Sequence, residues 1–288
     1  MRKKIVRQRK TTVIRKSKKR SSVFSGRLLR FSIGLFVILF VFTIAYHYRD
    51  GLAYYFSFKS NHASQLEAEE KRISDVRNFQ VLEKSEGKVV GLDVSEYQGN
   101  INWKKMDSLE NKYPIHFVFI RATVGSDRLD KGFEDNWLGA KKNKFIRGAY
   151  HYYRPNENSL EQAALFIKTV SLKKGDLPPV LDIEKLPKNQ SLERLKIGLR
   201  RWLIAVEQHY KVKPIIYTGE KYYEDFLKEE FGDYLFWIAN YNFYREEIDA
   251  NWLFWQFTEK ASIAGIKGNI DVNIYNGDLQ QLRFITVE

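Results

Sequence analysis

From residue 88 onward, short runs of β-branched and aromatic residues alternate with helix-forming segments, and this alternation restricts the fold more than any other property of the chain. The runs fall at residues 89–95, 116–123, 145–152, 179–184, 213–218, 234–239, 253–257 and 270–274. The first five recur about every 30 residues, the spacing of parallel βα units. Between them, residues 192–210 place Leu192, Leu195, Leu199, Leu203 and Val206 on one helical stripe behind Ser191 as cap. Ser159 and Gln162 read as a capping box for a second helix over 160–172. The last runs follow one another too closely for helices to intervene. The expected fold is α/β: an irregular TIM-like β/α barrel of about five βα units followed by extra strands.

A barrel of this kind collects its chemistry at the C-terminal ends of its strands. The strand ends carry Asp93 on the first run, His151 and Tyr152 on the third, Asp182 and Glu184 on the fourth, Tyr217 on the fifth, Trp237 on the sixth, Trp255 and Gln256 on the seventh, and Asp271 on the eighth. Asp182 and Glu184 are one residue apart, so in a strand they share a face at a separation of roughly 6.5 Å. Two carboxylates that close do not both ionise readily, which leaves one protonated beside an anion. Glycosidic cleavage needs that division: a proton for the leaving oxygen and negative charge near the developing sugar cation. Aromatic faces stack on the apolar faces of pyranose rings, so Tyr152, Tyr217, Trp237, Tyr241 and Trp255 are candidate sugar platforms, with barrel core as the alternative. The alternative for His151 is a satisfied strand-end histidine. For Asp93 and Asp271 it is hydrogen bonding to loop amides.

Composition removes several other chemistries. There is no Cys, hence no thiol nucleophile, disulfide framework or thiolate zinc site. His47, His62, His116, His151 and His209 show no ligand spacing, so neither a catalytic metal nor a cofactor is expected. No Gly-x-Ser-x-Gly elbow, Walker loop or dinucleotide-binding glycine motif occurs. The formal charge of +13 suggests a nucleic-acid partner until it is located. Residues 1–30 hold 13 of the 48 Lys and Arg and no acid, leaving 35 basic against 35 acidic groups in the rest. The excess is a tail, and no nucleic-acid partner is expected.

That tail precedes sixteen uncharged, mostly apolar residues, 31–46; extended to 28–48 they reach about the twenty needed to cross a bilayer. Arg27 and Arg30 can snorkel at one end, and Tyr46, His47 and Tyr48 form an interfacial belt at the other. Tyr-His-Tyr-Arg stands where a signal peptidase would need small residues, which favours an anchor over a cleaved signal. The expected organisation is a basic cytoplasmic tail (1–27), one transmembrane helix (28–48), an extracytoplasmic stalk (49–86) with an aromatic stretch at 52–58, and the barrel (87–288). By the positive-inside rule the protein is single-pass in the cell membrane, with its C-terminal domain outside the cytoplasm.

Taken together, Gly91-Leu92-Asp93-Val94-Ser95-Glu96-Tyr97-Gln98-Gly99, Phe119-Ile120-Arg121-Ala122-Thr123, Gly148-Ala149-Tyr150-His151-Tyr152, Leu181-Asp182-Ile183-Glu184, Trp237-Ile238-Ala239-Asn240-Tyr241, Trp255-Gln256-Phe257-Thr258 and Asp271-Val272-Asn273 resemble glycoside hydrolase family 25, lysozymes that act as N-acetylmuramidases. Each motif is weak alone; seven in the family's order, over about residues 88–285, are specific. The resemblance implies hydrolysis of the β-1,4 bond between N-acetylmuramic acid and N-acetylglucosamine, with peptidoglycan glycan strands as partner. It implies Glu184 as general acid and base, and Asp182 assisting at the reacting sugar by orienting the substrate's N-acetyl group. Asp93 and Asp271 match the two remaining acids. Direct nucleophilic attack and inversion through water stay open at this point. The chain departs from the family at Val124-Gly125, where Glu-Gly is common, which takes one acid from the cleft rim. A non-catalytic peptidoglycan-binding barrel and a glycosidase for another acetylated polymer such as chitin are the alternatives.

Overall fold

Residues 23–47 and 69–288 are described by the computed structural model, in two compact units of which the second begins at Glu67. In the second unit the period-two runs form strands β1 (Val89–Val94), β2 (Ser108–Leu109), β3 (Tyr113–Val124), β4 (Arg128–Leu129), β5 (Ile146–Tyr152), β6 (Val180–Asp182), β7 (Ile215–Gly219), β8 (Leu235–Ala239), β9 (Phe254–Ala261) and β10 (Ile270–Tyr275). Eight of them close a barrel in the order β1-β3-β5-β6-β7-β8-β9-β10, and β10 pairs back onto β1. Pairings from β1 through β9 are parallel, whereas β10 runs antiparallel to both its neighbours. The short β2 and β4 pair with β3 outside this ring.

Helices α3 (Phe133–Lys142), α4 (Ser159–Thr169) and α5 (Leu192–Tyr210) follow β3, β5 and β6, and a short α6 (Glu220–Tyr222) follows β7 and runs into one wide helical turn. The first expected βα unit has no α-helix. Only two tight turns, Glu96–Gln98 and Trp103–Lys105, lie between β1 and β2, because this polar, Gly- and Asn-bearing stretch offers no apolar stripe to bury. The α5 stripe packs as expected: Leu195, Leu199, Leu203 and Val206 are buried, each burial being worth about 1.5–3 kcal/mol. Ser191 caps the helix through the Arg194 amide. The cap of α4, in contrast, is Asn158, whose extended backbone lets its Oδ1 accept from the Leu160 and Glu161 amides. Ser159 instead bonds the Tyr153 hydroxyl, and Gln162 turns inward. After β10, α7 (Leu279–Phe284) lies against the barrel bottom, where Leu282 joins the interior cluster.

Apolar side chains sort into two layers. Those facing outward from the strands, among them Leu92, Val118, Ile120 and Leu181, meet the helices. Those facing inward, Val89, Phe117, Phe119, Val180, Ile215, Trp237, Phe254 and Tyr275, fill the barrel. Phe119 stacks on Trp237 with centroids 4.5 Å apart. Two glycines make room for this aromatic filling: a Cβ on Gly91 would lie 2.5 Å from the Phe117 ring, and one on Gly148 would lie 2.5 Å from the Phe119 ring.

Residues 69–84 form helix α2, expected as part of a stalk. It docks on the barrel: Val81 and Leu82 are buried, and Leu82 shares a crevice with Phe257, Ala261 and Val272. β9 and β10 succeed each other without a helix, so their outward faces need another cover, and α2 supplies it. The compact unit therefore starts some twenty residues before the expected boundary at 87.

In the first unit, α1 (Val23–His47) contains the whole uncharged run. Among the described residues, no helix is long and apolar enough to cross a membrane. The basic residues 1–22, Tyr48 and the aromatic stretch 52–58 lie outside the described residues.

Candidate active site

The alternation that turns Phe117 and Trp237 inward also turns acids inward one layer higher. On β1 the inward positions are Val89, Gly91 and Asp93; on β6, Val180 and Asp182; on β7, Ile215 and Tyr217; on β9, Phe254 and Gln256. They converge on a cleft of about 550 Å³ at the C-terminal rim of the parallel strands. Asp271 stands near the beginning of β10, not at its C-terminal end as expected. It reaches the same rim because β10 runs antiparallel, which makes it the register partner of Asp93.

Asp93 is held from below by two side-chain amides. Gln256 Nε2 donates to its Oδ2 at 2.7 Å and Asn273 Nδ2 donates to the same oxygen at 2.8 Å. Those amides are fixed in turn: Gln256 Oε1 accepts from the Tyr217 hydroxyl at 2.7 Å and from the Tyr241 hydroxyl at 2.5 Å, and Asn273 Oδ1 accepts from Trp237 Nε1 at 2.8 Å. Loop amides play no part in this set. Burial pushes Asp93 up to about 6 against these donors. Asp271, hydrogen-bonded to it, is pushed up to about 9 by burial and by the Asp93 charge. At neutral pH the pair as a whole holds one proton beside one negative charge.

Asp182 and Glu184 form a second pair. Strand β6 ends at Asp182, so Glu184 is beyond the strand and not on the same pleat. Asp182 is only 4% exposed, and its Oδ1 has no hydrogen-bond partner among the described residues. Burial first, then the charges of Glu184 and Asp93, drive its pKa well above the usual carboxylate range. Glu184 is open at the mouth of the cleft, yet the surrounding walls desolvate its carboxyl and raise its pKa, opposed by a hydrogen bond from Asp182. Burial thus favours a proton held between these two carboxyls over two separate charges.

Among the remaining expected residues, Tyr152, Tyr217, Trp237, Tyr241 and Gln256 line the cleft. Trp237 and Tyr217 are its floor rather than open platforms, since both are buried in the barrel interior and their rings meet at 4.5 Å. Tyr241 presents a freer face at 45% exposure. Two expected residues are elsewhere. The His151 ring points outward between barrel and helices, stacked on Trp202 at 5.4 Å and bonded to Thr123 and Gln162. Trp255 is also turned outward and donates from Nε1 to the Asn240 carbonyl at 2.8 Å. Both occupy positions adjacent to an inward residue, and strand alternation sends neighbours to opposite faces.

Tyr97, Arg121, Tyr150, Tyr222 and Glu259 line the cleft without having been expected there. Tyr150 was legible, being two residues after the inward Gly148. So was Arg121, a cation inside the apolar run of β3. It pairs with Asp130 at 2.8 Å and lies under the Tyr97 ring, 4.7 Å from its centroid. Tyr97 and Tyr222 come from the segments after β1 and β7, whose path no periodicity specifies. Val124 is buried at the end of β3, alongside Arg128 and Tyr152, and is not part of the cleft wall.

The sequence profile for Glycosyl hydrolases family 25 matches residues 92–266. The Uncharacterized protein YegX of Escherichia coli (strain K12) is 36% identical over 210 residues, which span 72% of this chain and 77% of that one. Lysozyme M1 of Streptomyces globisporus is 31% identical over 209 residues, 67% of this chain and 70% of that protein. The solved structure of a family 25 glycosyl hydrolase from Bacillus anthracis superposes with a TM-score of 0.62 at 29% identity, over 69% of this chain and 93% of that one. With profile, sequence and fold in agreement over most of the barrel, the chain belongs to glycosyl hydrolase family 25 and is a glycoside hydrolase.

Proposed function

We propose that this hydrolase is anchored in the membrane and cuts peptidoglycan at the β-1,4 bond between N-acetylmuramic acid and N-acetylglucosamine, with Glu184 as general acid and base and Asp182 acting through the substrate's N-acetyl group. The observation that carries the reading is the stacking of the two acids by depth: Glu184 open to the cleft, Asp182 buried beneath it with an unpartnered oxygen. A buried acceptor without a donor calls for one. The acetamide N–H of the reacting sugar is a donor of the right kind. Once it bonds Asp182, the Asp182 anion is favoured, which leaves the proton of the pair on Glu184 beside the glycosidic oxygen.

Glu184 then gives that proton to the leaving oxygen as the bond from the anomeric carbon breaks. The acetamide carbonyl, polarised through its N–H, closes on the anomeric carbon from the other face. In the second half Glu184 takes a proton from water, whose oxygen attacks the anomeric carbon and restores the acetamide, giving net retention. Inversion needs a water between the carboxyls, at separations of roughly 6.5–9.5 Å, and the anomeric configuration of the first-released product distinguishes it from retention. The Asp93 anion lies where it can stabilise positive charge developing on the ring.

Likeness to a lysozyme directs the choice of glycan, and the mass of released fragments tests it. Purified peptidoglycan should yield fragments with N-acetylmuramic acid at the reducing end. Reducing-end N-acetylglucosamine would overturn the assignment and leave a glycosidase for other acetylated glycans. Anchoring rests on α1, where residues 31–46 are uncharged and apolar side chains from Phe31 to Ile44 are exposed on every side. Such a helix needs an apolar medium around it. The thirteen basic residues through Arg30 keep its N-terminal side in the cytoplasm.

A further inference from the structure

Helix α2 lies outside the family-matched residues 92–266, yet it sends one cation deep against the barrel. Arg77 is 5% exposed and, among the described residues, has no carboxylate partner. A helix that only covered β9 and β10 would be served by an apolar residue here, because burying an unpaired guanidinium is costly. What the cation meets is backbone. Its Nη1 donates to the Phe257 carbonyl at 2.5 Å, its Nη2 to the Asn242 carbonyl at 3.0 Å, and its Nε to that same oxygen at 3.3 Å. The guanidinium carbon also lies 5.9 Å from the Trp255 ring and 6.0 Å from the Phe257 ring.

These carbonyls belong to two segments that carry cleft residues. Asn242 follows Tyr241, and Phe257 follows Gln256. Tyr241 and Gln256 bond each other inside the cleft, and Gln256 holds Asp93. We propose that Arg77 is a positioning residue: from outside the barrel it clamps the segment after β8 to strand β9, and so fixes the Tyr241–Gln256–Asp93 chain that supports the acid cluster. Helix α2 is then part of the catalytic unit, and a fragment cut at the family-matched boundary lacks one of its supports. The kinetic side of this inference rests on the hydrolase reading above; the geometric side does not.

The test uses the full chain with Arg77→Met, Arg77→Lys, Tyr241→Phe and the Arg77→Met/Tyr241→Phe double variant. Losing hydrogen bonds from a charged donor makes an effect of about 10-fold in kcat/KM the expectation for Arg77→Met, read well below its melting temperature and with kcat bearing most of the loss. Arg77→Lys, which retains the charge and one reachable carbonyl, should recover part of it. In the double variant the second substitution should add little, because both act on one chain. Amide hydrogen exchange over residues 240–245 and 256–258 should accelerate in Arg77→Met whether or not glycan is cut. Multiplicative losses in the double variant, or unchanged exchange with a lowered melting temperature alone, would overturn the inference. A wild-type chain without hydrolysis would refute the proposed activity, and the exchange measurement would still decide the clamp.

Discussion

Replacing His151 by Gln isolates a pH-dependent contribution to stability whose size follows from where the ring sits. The imidazole is fully buried, with Nδ1 2.7 Å from Thr123 Oγ1 and Nε2 3.1 Å from Gln162 Oε1. The Gln162 amide is oriented by the Arg154 backbone, which donates to its Oε1 at 2.9 Å and accepts from its Nε2 at 3.0 Å, so Nε2 of the ring is the donor. Burial lowers the histidine from 6.5 to about 4. The folded state therefore holds a neutral ring where the unfolded chain takes a proton. Its stabilisation is complete above pH 6.5 and is lost as pH falls toward 4. At 1.36 kcal/mol per pKa unit the loss amounts to about 3 kcal/mol. The stability gap between wild type and His151→Gln should narrow by about that amount between pH 6.5 and pH 4, while activity near neutrality and well below the melting temperature changes little. Urea unfolding followed by tryptophan fluorescence reads the barrel alone, because all six Trp fall between residues 103 and 255. A gap that is constant or widens on acidification would refute the neutral, outward-facing histidine.

Asp176→Ala should cost about 3–5 kcal/mol in the same assay, because it strands the buried Arg147, which Asp176 engages at 2.8 and 3.2 Å. Gln256→Leu should lower kcat/KM by about 10- to 100-fold, since it removes a donor to a buried carboxylate and an acceptor for two tyrosines. The same change should raise the pKa of Asp93 above about 6, moving the acidic limb of the pH profile upward; an unmoved limb would show that Asp93 does not control it. Protease added to intact cells stripped of their wall should remove the barrel and spare the N-terminal tail, and a fully protected barrel would overturn the proposed orientation.

The rim was readable because strand alternation is a local rule. Asp93, Asp182 and Gln256 obey it within their own strands, and the motifs that contain them are short. The same rule, followed one residue further, removes His151 and Trp255 from the cleft, since each adjoins an inward residue. Glu184 escaped it because β6 stops at Asp182, and Asp271 because its place depends on the direction of β10, which hairpin spacing does not fix. Helix α2 was hardest to place. Its composition is that of a solvated spacer, and nothing near residue 77 announces that Phe257 and Asn242, more than 160 residues away, leave carbonyls for it. Tyr97 and Tyr222 depend on loop paths that local pattern leaves equally open.

Release of new reducing ends from purified peptidoglycan, compared between wild type and Glu184→Gln, tests the central claim most directly. Glutamine keeps the shape of the side chain and cannot exchange a proton with the glycosidic oxygen, so wild type should release reducing ends and the variant should fall by at least about 100-fold, the lower range of general-acid catalysis. Equal release from both proteins would contradict the assignment of Glu184 as the acid.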